Sequence, residues 1–104
     1  MEFNDDSYRI DWWERNLEDI DLEIGRMAMI CRVDILAPGI IERILRRDAS
    51  VCRNDEAAAF HKLHDLLVMH YLNRQKAADE LGQALAASIE AYIIERLRKR
   101  FPHL

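Results

Sequence analysis

Glycine, proline and cysteine are all scarce in this chain of 104 residues, at three, two and two copies. Without a Ser- or Gly-rich run there is no room for an internal flexible linker, so residues 1 to 104 are expected to act as a single domain. So few glycines also leave no phosphate-cradling loop, and nucleotide binding has no support. The two cysteines, Cys31 and Cys52, lie outside any C-x-x-C arrangement, which points to reduced thiols rather than a disulfide. No stretch approaches the roughly 18 to 20 consecutive apolar residues that span a bilayer, and the acidic start lacks the basic-then-apolar order of a signal peptide. A cytoplasmic location without a membrane partner is the expectation.

Catalytic signatures are missing as well. Dinuclear carboxylate sites in helical bundles take Glu-x-x-His pairs, and the chain has none; the zinc-protease helix signature H-E-x-x-H is also absent. No acyl-transfer motif surrounds either thiol. The sequence therefore predicts a protein that is not an enzyme and holds no cofactor.

What the chain has is apolar residues at helical spacing. Ile10, Trp13, Leu17, Ile20, Ile24, Met27 and Cys31 follow one another in steps of three and four, the heptad seam of a helix packed lengthwise against others. A second ladder runs through Phe60, Leu63, Leu67, Tyr71, Ala78, Leu81, Leu85, Ile89 and Tyr92. These predict an all-α long-helix bundle, a helical hairpin plus a short helix.

The boundaries follow from caps and breakers. A first helix is expected over about 11–33, with Asp11 as N-cap and Pro38 forbidding continuation. Pro38 then suits the first turn of a short second helix, 38–48, closing one end of the bundle as a lid. Asn54 caps a third helix over about 55–101, with Asp55 and Glu56 at its positive end, the bases Arg96 to Arg100 at its negative end, and Pro102 beyond. The polar tetrad Asn73 to Lys76 is the one place where a turn competes, since Arg74 occupies an apolar position of the ladder. The 3.6-residue phase carries through it, so continuity is predicted. The resulting rod would be about 70 Å long, too long for the first two helices to cover, and a homodimer completes it. Leu66 and Met69, off the main stripe, supply the extra apolar contact.

Charge alternates in blocks: nine acids against two bases in residues 1 to 24, then a basic, an acidic and a basic stretch. An acidic beginning beside the basic end favours antiparallel first and last helices. The terminal bases neutralise a helix dipole in an acidic chain, so no nucleic-acid partner is expected.

Three polar features remain. His61, His64 and Asp65 share one helix face and form a candidate metal set, with solvated side chains as the plainer alternative; His70 is half a rotation away. Cys52, between Arg47 and Arg53 and ahead of a helix N-terminus, is a candidate redox thiol. Trp13 lies on the seam while its neighbour Trp12 does not, making Trp12 a candidate anchor for a protein partner. Together these predict a non-enzymatic helical interaction protein: an adaptor, small subunit or assembly factor. A metal-binding or redox-regulated bundle is the alternative.

Overall fold

The first ladder forms one long helix, α1 (Asp5–Cys31), in a computed structural model that describes residues 5–52 and 56–100. A short helix α2 (Ile40–Leu45) and a turn of 3-10 helix (Ala49–Val51) follow. Two more helices complete the chain, α3 (Ala57–Leu81) and α4 (Gln83–Arg100), and no strand occurs among the described residues. The bundle is all-α, as the spacing requires. The cap at Asn54, the acid at Asp55 and the stop at Pro102 lie outside the described residues.

Helix α1 begins one and a half turns before Asp11, because Ile10 packs against the core and extends the seam backwards. It stops at Cys31 in a Schellman motif. Arg32 takes the left-handed conformation, φ 56°, its amide donating to Met29 at 3.1 Å while the Val33 amide donates to Ala28 at 2.9 Å. Val33 and Ala28 share the core, so the hydrophobic contact that accompanies this motif is present. The same device ends α2: Arg47 has φ 63°, and the amides of Arg47 and Asp48 donate to Ile44 and Arg43, both at 2.9 Å. Arginine twice occupies a position that glycine usually fills. Helix α2 is shorter than expected because Gly39, at φ 80°, begins it, leaving Pro38 outside the helix.

The expected rod from 55 to 101 is the main correction. Helix α3 does continue through Asn73 to Lys76, but the chain reverses at Gly82, where φ is 95° and ψ 152°, a region open essentially to glycine alone. One residue joins α3 to α4. The Arg74 side chain therefore meets Glu90, sixteen positions on, and the two helices form an antiparallel hairpin. Helix α1 runs antiparallel to α3, as the Trp13 to Glu80 and Asn16 to Asn73 hydrogen bonds show, and so parallel to α4. The rod's demand for a second copy disappears, since α1 covers both arms of the hairpin.

After the turn the second ladder only partly follows the core. Leu85 and Tyr92 are exposed, as is Tyr71 before the turn, while Ile89 stays buried and α4 adds Ala86 and Ile93. Two apolar clusters result: Trp13, Leu17, Ala77, Ala78, Ala86, Ile89 and Ile93 near the Gly82 tip, and a larger aliphatic group around Ile24, Ile44, Leu63 and Leu67 at the α2 end.

Candidate functional site

Between the two clusters lies a layer of charge contributed by three helices. Asp21 of α1 is only 6% exposed, yet it carries a carboxylate into the seam beside Ile20 and Ile24. His70 of α3 faces it, Nδ1 to Oδ1 at 2.7 Å, and turns its Nε2 to Glu90 of α4 at 3.3 Å. Arg74, one turn beyond His70, donates from Nε to the other Glu90 oxygen at 2.5 Å. The contact of Asp21 with Nδ1 is close but off the line of an N–H bond, so it is chiefly an ion pair. One turn towards the tip, the Asn16 amide donates to Asn73 at 2.9 Å, extending the polar layer.

The electrostatics decide what this layer can do. Burial by itself drives the His70 imidazolium towards neutrality, but the Asp21 and Glu90 carboxylates outweigh it and raise the pKa to about 9. Glu90 is held below its ordinary range by hydrogen bonding to His70, opposed by burial and helped by Arg74. Two cations face two anions. The charges of the layer thus largely offset one another within the bundle.

An apolar cavity of about 100 Å³ adjoins it, walled by Ile24, Ile35, Leu67, Ile94 and Leu97 with Asp21, His70 and Glu90 at one side. Small-molecule sites usually span ~300 to 1,000 Å³, so this space suits nothing larger than a small ring. A second, open depression of about 370 Å³ lies between Glu18 and Leu22 of α1 and Arg96, Lys99 and Arg100 of α4. Arg96 is already committed there, pairing with Glu14 and Glu18 at 2.6 and 2.7 Å while its guanidinium stacks over the Tyr92 ring at 4.5 Å. The acidic beginning and the basic end do meet, but across the parallel α1 and α4.

Of the residues singled out from the sequence, His61, His64 and Asp65 stand side by side on α3. The His64 ring is buried with Nδ1 3.1 Å from Asp65, His61 lies 4.0 Å from the other Asp65 oxygen, and among the described residues no group of three or more His, Cys, Asp and Glu is placed to hold a metal. Asp65 is held below its usual range by the His64 hydrogen bond. Leu66 is 9% exposed and belongs to the core rather than to a free surface, because α1 reaches the side of α3 on which it sits. Met69 is 48% exposed. Trp12 is 51% exposed, its ring edge-on to Trp13 with centroids 4.7 Å apart, whereas Trp13 is buried and donates from Nε1 to Glu80 at 2.6 Å. Cys52 is half-buried against the core that holds Cys31.

Asp21, His70, Arg74 and Glu90 were not legible as a set. One of them did leave a signal: Arg74 stands where the ladder requires an apolar residue, and a charge on a seam needs partners from facing helices. Among the described residues no helix is long and apolar enough to cross a membrane. Comparison of the chain with protein-family profiles, curated proteins and solved structures finds no match in any of the three.

Proposed function

We propose that this chain works by association rather than catalysis, as a small helical adaptor, subunit or assembly factor of the cytoplasm that uses no cofactor and no nucleic acid. Support comes above all from the outward strip of α3. Val68, Met69 and Leu72 are all exposed there, flanked by Asp65 on one side and Lys76 on the other. Three large apolar side chains in adjoining turns are more than the scattered exposure of an ordinary surface.

The strip is self-complementary, which selects a second copy of the chain as its occupant. Turned end to end on a two-fold axis between His70 and Tyr71, Met69 of one copy meets Leu72 of the other, and Asp65 meets Lys76. A closed symmetric dimer needs this kind of patch. Leu72 thus replaces the buried Leu66 as Met69's companion. On α1, Tyr8 and Trp12 lie one turn apart and exposed, an aromatic pair available to a different protein.

Sedimentation analysis at micromolar concentration tests the self-contact. A dimer is expected, and Met69→Glu with Leu72→Glu should weaken it by about tenfold or more without loss of helicity. Asp65→Lys should weaken it less, and adding Lys76→Asp should restore it. A monomer at all concentrations, or a dimer indifferent to these changes, refutes the proposed contact. For the α1 pair, a collisional quencher should reach Trp12 in a Trp13→Phe variant but leave Trp13 shielded in Trp12→Phe.

A further inference from the structure

We propose that Cys31 and Cys52 form a dithiol site that closes reversibly to an internal disulfide when the chain meets a small disulfide such as oxidised glutathione. Cys31 is the last residue of α1 and is wholly buried; Cys52 follows the 3-10 turn and packs against the same core. Both thiols border one apolar cluster, and Cys52 lies near enough to Cys31 to act on its titration. Residues 32 to 51 separate them in sequence, and that segment is anchored to the core through Ile44 and Val51, so the fold itself holds both cysteines against one core.

Access and acidity assign the order of events. Burial first, then the neighbouring Cys52, push the Cys31 thiol up to about 12, which keeps it protonated and inert towards an outside reagent. Cys52 is the member with solvent access. Its thiolate attacks one sulfur of the oxidised glutathione, forming a mixed disulfide and releasing one glutathione thiolate. Cys31 then gives up its proton and attacks the Cys52 sulfur, expelling the second glutathione. Two thiols are oxidised to one disulfide and one glutathione disulfide is reduced to two thiols, so electrons and protons balance. The cross-link ties down the segment that bears α2 and supplies Ile35, Leu36 and Ile41 to the wall of the apolar cavity.

The test is to incubate the native chain with oxidised glutathione and read intact mass and peptide map. Wild type should lose two hydrogens, retain no glutathione and yield a peptide joining Cys31 to Cys52, with a melting temperature raised by a few degrees through loop closure. Cys31→Ser should stop at a stable glutathione adduct on Cys52, and Cys52→Ser should react far more slowly. A lasting adduct on wild-type Cys52, a disulfide between two chains, or no reaction would each overturn the proposal. Should Cys31→Ser fail to fold, the wild-type peptide map decides alone.

Discussion

At the Gly82 tip Ala77, Ala78 and Ala86 share the core with Trp13, Leu17, Ile89 and Ile93, whereas at the α2 end Ile24, Ile44, Leu63 and Leu67 predominate beside Cys31, Val51 and two alanines, Ala28 and Ala59. The difference follows from the connection. Two helices joined by one residue leave their turn in close approach, so only small side chains fit between them, and α1 adds its bulk from outside as Trp13. At the other end the helices are not tied, larger side chains are needed to fill the space, and α2 is laid across it; even so, a cavity remains. The alanines beside the turn answer to chain geometry, and the larger aliphatic side chains of the α2 end answer to volume.

The boundary between the two ends should be the most sensitive place to cut. His70→Ala removes the cation facing Asp21 and leaves a buried carboxylate uncompensated, which should cost about 3 to 5 kcal/mol in chemical denaturation. The same imidazolium sets a pH window. Its pKa is raised from 6.5 to about 9 on folding, so its contribution is complete below 6.5 and is lost as pH rises through 9. Glu90, shifted down, contributes above its unfolded value and loses that contribution as acid titrates it. Wild-type stability should therefore decline from neutral to pH 9 more steeply than that of His70→Leu; equal slopes would show that the raised pKa is not real.

Next in size is the contrast of the two ends themselves. Leu63→Ala at the aliphatic end should cost about 2 to 5 kcal/mol by emptying a fully buried site. At the tip the opposite change hurts: Ala86→Leu should cost about 1 to 3 kcal/mol by overpacking. If Ala86→Leu is tolerated, the tip is not held close. Gly82→Ala should cost a comparable ~1 to 3 kcal/mol from backbone conformation alone, since a methyl there would meet no atom within 4 Å. The smallest effect is expected at Leu85, which the ladder marks as core but the fold exposes: Leu85→Ala should stay within about 0.5 kcal/mol in thermal melts.

Leu85 also shows where the sequence ceases to be legible. In α1 the seam from Ile10 to Cys31 reads correctly because one helix faces its neighbours along its whole length, and period alone identifies the buried side. Across Gly82 the steps of three and four continue from Leu81 to Leu85 and Ile89 although the chain has reversed, since a one-residue turn leaves no polar gap to betray it. The isolated glycine was the only mark of the reversal. Arg74 was visible as an intrusion, but its partner Glu90 comes beside it only after the turn, so the charge layer could not be read before the hairpin was known. Leu66 failed for a related reason: how wide a stripe is buried depends on how many helices surround it.

The charge layer also limits how the helices can be aligned. Sliding α1 along α3 by one turn would carry Asp21 about 5.4 Å from His70. That would leave a carboxylate and an imidazolium each against apolar walls, at several kcal/mol per ion. An all-apolar seam would let Leu17, Ile20 and Ile24 exchange partners with little loss. Asp21, His70, Arg74 and Glu90 instead admit a single alignment of three helices. Anything that grips the outer side of α3 therefore finds Tyr8 and Trp12 at a fixed distance from it, so two contacts made on different helices can be measured out by one set of buried charges.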